Sequence, residues 1–358
     1  MDNHKHTSSK LLIHGLLREE ILALCRELGQ PDYRAEQIWK WLYVQRMERW
    51  GACTNLPKPF LAELANRFRL PPVGLVEIHG PPAGTRKLLV ELPDGERVEE
   101  VLIPARSWRT VCVSSQVGCR FHCAFCASGQ AGFRRHLEAG EMVGEILLAA
   151  QVYGQPPTHV VFMGIGEPLD NYDAVLRTIR IINDKQGLAI GARRITISTC
   201  GLAPAILRLA EEGLQVELSV SLHATNDELR SRLMPINRKY PLATLLDACR
   251  TYFERTKRLI TFEYVLIRGV NDTPNHVREL VDLLSGLQCR VNLIPLSPVA
   301  EFAGEASRRD VVETFLRALQ QAGINATVRV SKGCEVKGAC GQLRLASRAA
   351  EAPQRSPA

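Results

Sequence analysis

Three of the eleven cysteines crowd into eight residues: the stretch GCRFHCAFCASG sets Cys119, Cys123 and Cys126 at C-x3-C-x2-C spacing. A loop this short can aim three thiolates at one face of an iron–sulfur cube. A fourth cysteine would close the cluster, whereas three leave one iron open to a substrate or cofactor. Zinc is the alternative, but it generally wants four protein ligands, with a second C-x2-C or a His pair downstream. None follows here, because His122 lies inside the loop and Cys112 stands seven residues upstream. An odd cysteine count behind a polar N-terminus (MDNHKHTSSK) argues against a disulfide framework and a secretory signal. The expectation is a cytoplasmic protein with metal-binding or catalytic thiols.

Other candidates lie further along. In GIGEP (164–168) two glycines let backbone approach a ligand, and Glu167 can accept from an ammonium group. Read alone, such a stretch is as well explained by a strand-to-helix turn. Ser198, Ser221 and His223 fall at the ends of strand-like runs, where hydroxyls and an imidazole suit a ribose and a carboxylate. Cys340 sits in a glycine-flanked loop (Gly338-Ala339-Cys340-Gly341) open enough to bring a thiolate to a substrate. Cys112 and Cys340 taken singly read as small buried hydrophobes.

These residues need a scaffold, and the periodicity supplies one. LLREEILALCREL, YRAEQIWKWLY and PKPFLAELANRFRL have apolar residues at three- and four-residue spacing, predicting a helical unit over residues 1–80. KLLVELPDGERVEEVLIP predicts a β-hairpin turning at Asp94-Gly95, a linker over 81–109. From 110 to 345, six strand-like runs (110–116, 159–164, 194–199, 216–223, 259–267, 290–296) alternate with amphipathic helices. That rhythm predicts α/β architecture with a parallel sheet, a partial barrel or an open doubly wound sheet. Either places function at the C-terminal strand ends. Residues 346–358 read as a disordered tail.

Composition agrees: 358 residues, 46% apolar and 23% charged, exclude a disordered or collagen-like chain. No run of 18 uncharged apolar residues would span a bilayer. The net charge of +7 falls wholly in residues 101–358, since residues 1–100 carry 14 basic and 14 acidic side chains. Eight basic residues between Arg230 and Arg258, against Asp247 and Glu254, suit a polyanion such as RNA or make a solvated helical face.

The cysteine spacing with Phe125 resembles the radical S-adenosylmethionine (SAM) superfamily, whose open iron chelates SAM. VCVSSQVGC, FMGIGEPLDNYD, ISTCGL, SVSLHAT, VNLIP and GACGQLR narrow the resemblance. They are similar to the radical SAM RNA methyltransferases that act on adenine C2 in 23S rRNA and tRNA, with the related C8-methyltransferase. YRAEQIWKWLY resembles that family's helical RNA-contacting domain, and the similarity runs from about residue 30 to 345.

The resemblance implies a partial (β/α)6 barrel with a small N-terminal helical domain and a β-hairpin extension. It implies a [4Fe–4S] cluster on Cys119, Cys123 and Cys126, and SAM held by Gly166, Glu167, Ser198, Ser221, Leu222 and His223. It makes Cys340 the methyl carrier and Cys112 its resolving partner through a transient disulfide. SAM's methyl and adenine C2 are both electrophilic, so direct transfer fails. One SAM methylates Cys340, and radical cleavage of a second activates that methyl for attack on the ring. Glu99 matches the proton acceptor; adjacent Glu100 would point to the other face of a strand. The implied substrates are 23S rRNA (adenine 2503) and tRNA (adenine 37), the electron donor a flavodoxin or ferredoxin, and the protein a monomer free of membranes. Ser297 replaces the family's usual Asn, and Gly333-Cys334-Glu335-Val336 adds a thiol near Cys340. C8 methylation, a radical SAM enzyme acting on a non-RNA substrate, and a non-catalytic metal-binding protein are the competing readings.

Overall fold

The computed structural model describes residues 10–329 and 332–343. The expected tail, 346–358, lies outside the described residues. Three helices open the chain: α1 (Arg18–Glu27), α2 (Tyr33–Tyr43) and α3 (Lys58–Arg67). α2 buries Ala35, Ile38, Trp39, Leu42 and Tyr43, the stripe that helical spacing predicts. Proline in the first turn of α3 suits a position whose N–H has no helical partner. Short strands β1 (Leu11–Leu12) and β2 (Phe68–Arg69) pair and close this unit.

The rest is built on one ten-stranded sheet, in the order β14-β13-β12-β11-β10-β9-β6-β5-β4-β3. β3 (Gly74–His79), β4 (Arg86–Glu91), β5 (Arg97–Pro104) and β6 (Arg109–Cys112) form an antiparallel meander. The hairpin expected around Asp94-Gly95 is there as β4–β5, and it is continuous with the barrel sheet through β5–β6. β6, β9 (His159–Phe162), β10 (Ile195–Thr199), β11 (Glu217–Ser221), β12 (Ile260–Leu266), β13 (Cys289–Pro295) and β14 (Asn325–Val328) run parallel. Six were expected; β14 is a seventh, too short to show a pattern. A separate ribbon, β7 (Gln116–Gly118) with β8 (Phe133–His136), flanks α4 (Ala127–Gln130).

Helices α5 (Ala139–Tyr153), α6 (Tyr172–Asn183), α7 (Ala203–Ala210), α9 (Leu242–Thr256), α10 (Pro274–Leu284) and α11 (Arg309–Gln321) cover one face of the sheet, while α8 (Asp227–Leu233) packs Leu229 and Leu233 against Phe121, Cys123 and Phe125. One hydrophobic core runs from Ile21 and Trp39 through α5 and α6 to the barrel strands. The opposite sheet face looks into the barrel, and its side chains build the site. No helix among the described residues is long and apolar enough to cross a membrane.

Candidate functional site

The cysteine loop follows β7 at Gly118, whose φ is +79° and where a Cβ would lie 1.8 Å from the Gly132 carbonyl oxygen. Only glycine fits that turn. The loop is then pinned by backbone bonds: Ala124 N donates to Leu233 O at 2.9 Å, and Ala127 N to Gly341 O at 2.8 Å. Cys119, Cys123 and Cys126 thereby line one cavity of about 170 Å³. Burial pushes all three thiols up, Cys119 to about 12, and Cys119 and Cys123 are raised further by their neighbours' charge. Such a donor set holds thiolates only around a cation. Among the described residues no three His, Cys, Asp or Glu side chains gather as closely as a single ion needs. A cube takes each thiolate at a separate corner, so these residues fit the iron–sulfur group better than a lone tetrahedral ion.

The same cavity is walled by Gly166, Glu167, Ser198, Ser221 and His223. Gly166 has φ +107°, and a Cβ there would meet Gln116 and Ser115 at 2.6–2.8 Å. Glu167 is buried; its carboxylate accepts from Cys200 N at 2.7 Å and Leu169 N at 3.0 Å, which aims it. His223, at φ +57°, accepts from Val265 N through Nδ1 at 3.0 Å, so its proton is on Nε2. Its ring meets Phe125 edge-on, with centroids 4.9 Å apart. Burial, then the charge of Arg230, pushes this imidazole down to about 3, leaving a neutral donor. Leu222 stands apart from the other candidates: its side chain is wholly buried, its N–H donates to Glu263 O and its carbonyl accepts from Arg230 Nε.

Two further residues belong here that the sequence reading passed over. Glu263 on β12 is buried at the cavity wall. Oε1 accepts from Ser219 and Asn292, while Oε2 has no hydrogen-bond partner and faces the guanidinium of Arg329 at 3.8 Å. The signal for Glu263 was a lone carboxylate in the apolar run ITFEYVLI. Arg230 is fully buried, donating to the carbonyls of Cys200, Ser221 and Leu222 and to Asn237 Oδ1. It cross-braces the ends of β10 and β11. The basic run 230–258 is therefore no single patch, since Arg250 pairs with Asp247, Arg255 with Glu211 and Arg258 with Glu217.

Cys340 reaches this cavity from the C-terminal loop, held by Ser128 Oγ to Leu343 O (2.7 Å) and Gln342 Nε2 to Pro298 O (2.9 Å). It also lines a second cavity of about 260 Å³, which Cys112 shares. Both are free thiols, Cys112 buried and Cys340 exposed. Burial, then the charge of Cys340, pushes the Cys112 thiol well up. Arg329 and Met163 line both cavities. In the β5–β6 register Val101 lies opposite Cys112, so Glu99, two residues before Val101, is on the same face. Its carboxylate lies 2.7 Å from Lys87 Nζ. Glu100 points the other way and is buried beside α5.

Residues 113–284 match the Radical SAM superfamily, and residues 12–70 the ribosomal RNA large subunit methyltransferase N-terminal domain. A Streptococcus thermophilus protein named "Probable dual-specificity RNA methyltransferase RlmN" is 45% identical over 340 residues, 93% of this chain and 87% of its own. A protein of the same name from Dictyoglomus thermophilum is 46% identical over 329 residues, covering 91% and 94%. The crystal structure of a radical SAM methyltransferase from Sphaerobacter thermophilus superposes with a TM-score of 0.91. It is 45% identical, covering 94% of this chain and 100% of that one.

Proposed function

This chain belongs to the RlmN family of radical SAM RNA methyltransferases, and from that we propose that it methylates C2 of an adenine, in 23S rRNA (adenine 2503) and in tRNA (adenine 37). Its cofactors are a [4Fe–4S] cluster and SAM. We assign the cluster to Cys119, Cys123 and Cys126, and the SAM contacts to Gly166, Glu167, Ser198, Ser221, Leu222 and His223. When bound, these groups supply a transferable methyl and, by one-electron reduction, a carbon-centred radical.

The observation that carries the reading is the place of Cys340 at the junction of two cavities, one holding the cluster cysteines and the other Cys112. Cys340 Sγ takes up the methyl on the first side and presents it to the base on the second. Once the methyl carbon, having given one hydrogen atom to the radical, is joined to C2, Glu99 removes the ring proton and the adduct gives up its unpaired electron, for which the cluster on Cys119, Cys123 and Cys126 would be the acceptor. Cys112 Sγ then attacks Cys340 Sγ: the S–S bond forms, the carbon–sulfur bond breaks, and the released carbon takes a proton. Thiol exchange reduces the disulfide and restores the cycle. Lys87 beside Glu99 offers a counter-charge for the carboxylate before it takes the proton. Within this reading residues 1–80 contact the RNA.

Digesting RNA from cells with and without the gene tests it. The reading expects 2-methyladenosine only when the gene is present. 8-Methyladenosine in its place would assign the C8 reaction, and no difference would reject both.

A further inference from the structure

The parallel strands all begin along one edge of the barrel, and that edge is rich in arginine. Thr110 registers with His159, Val160 with Ile195, Thr196 with Glu217, and Ile260 with both Leu218 and Cys289. Arg109, Arg193, Arg194, Arg258 and Arg290 therefore stand side by side on this rim, with Arg106 just before it. Against them the rim sets Glu217, which Arg258 and Arg290 share. Glu211 and Glu212 nearby are taken by Arg255 and Arg180. Arg106, Arg109, Arg193 and Arg194 have no ion-pair partner among the described residues. Their crowding adds to burial locally: burial and then the charges of Arg193 and Arg290 push Arg258 down, and burial and then Arg194 do the same to His159.

The lining of the second cavity reaches this same rim at Trp108 and Thr110, where β6 begins. It runs along β6 from Trp108 and Thr110 inward to Cys112 and Cys340. Trp108 is 52% exposed, an unusual place for a large apolar ring, and rests edge-on against His159 at 5.8 Å. Lys332 and Arg329 face the cavity from the C-terminal side. A row of like charges beside an exposed aromatic at the mouth of a cavity is the arrangement that single-stranded nucleic acid needs. Cations track the phosphates, and the ring stacks a splayed base.

We propose that the rim from Arg109 to Arg290 is the surface on which the RNA backbone docks, and that an unstacked base passes Trp108 into the second cavity. This rests on the RNA methyltransferase reading and adds the side from which the substrate enters: opposite the cluster.

The test is binding of the full chain to a stem-loop RNA with an adenine in its loop, followed by fluorescence anisotropy across a series of KCl concentrations. Arg193→Ser with Arg194→Ser should flatten the log–log salt slope by about 1.4 units. Arg308→Ser with Arg309→Ser, at the start of α11 on the opposite rim, should leave it unchanged. Trp108→Ala should weaken affinity roughly tenfold, as loss of one stacked base does, and raise KM for RNA more than it lowers kcat. Trp108→Phe should recover most of the loss. An unchanged slope in the Arg193/Arg194 variant, or an equal loss in the control pair, overturns the docking surface. Unchanged RNA affinity in Trp108→Ala overturns the base platform. Wild-type protein that binds the RNA but makes no methylated adenine would instead contradict the proposed reaction, with the rim still scored by its slopes.

Discussion

Glu100 and Glu145 face each other between β5 and α5, both without solvent contact, and three of their four carboxylate oxygens have no hydrogen-bond partner. The fourth, on Glu145, accepts from Ser114 N at 3.0 Å. Ser114 Oγ in turn donates to Glu99 O and accepts from Ile165 N, so this pair sits behind both the proposed proton acceptor and the glycine loop. Burial raises both acids, and the Glu145 charge raises Glu100 further.

Below the unfolded value of 4.5 both states keep their protons and nothing is lost. As pH rises past it, the unfolded chain releases protons that the folded chain retains, and stability falls. Glu100→Gln removes one acid and gives Glu145 a donor. It should stabilise the protein by about 1–3 kcal/mol at pH 8 and by less at pH 5, read from thermal melts at the two pH values. An equal loss at both would mean that the pair is held by contacts other than its charge.

The cluster assignment makes a compositional prediction. Replacing any one of Cys119, Cys123 and Cys126 by Ala should remove the brown colour and SAM cleavage after anaerobic reconstitution. Iron and sulfide per chain are the measurement, and a triple variant that keeps full iron would refute the assignment.

His223 should act as a neutral donor to SAM. His223→Asn keeps a residue tolerant of positive φ but is too short to reach the cavity. It should raise the Kd for SAM about tenfold, the worth of one hydrogen bond, with RNA affinity unchanged. Because the ring is held down to about 3, wild-type SAM affinity should show no step near pH 6.5 in calorimetric titrations. A step there would mean that the ring titrates freely.

Much of this was legible beforehand because it is local. The cysteine spacing lies within eight residues, the β4–β5 turn is set by Asp94-Gly95, and each core strand of the barrel shows its own apolar run. What sequence could not show depends on distant partners. β14 spans four residues and is defined by its pairing with β13. Every residue of β3 is exposed, so it has no apolar alternation to read. Arg230 counted as surface charge until the carbonyls of Cys200 and Ser221 closed around it. The cationic rim is assembled from residues scattered between 106 and 290, which only the parallel register brings together.

The central claim is the division of labour between Cys340 and Cys112, and one measurement addresses it directly. Cys112→Ala combined with Cys334→Ala removes the resolving thiol and its possible stand-in, while leaving the carrier at Cys340. Mass spectrometry of this protein after anaerobic turnover with RNA should find nucleotide covalently attached to the peptide containing Cys340, and almost no released 2-methyladenosine. Cys340→Ala, run in parallel, should give neither adduct nor product. If the double variant releases methylated RNA at the wild-type yield with no adduct, Cys112 is not the resolving thiol and the account fails.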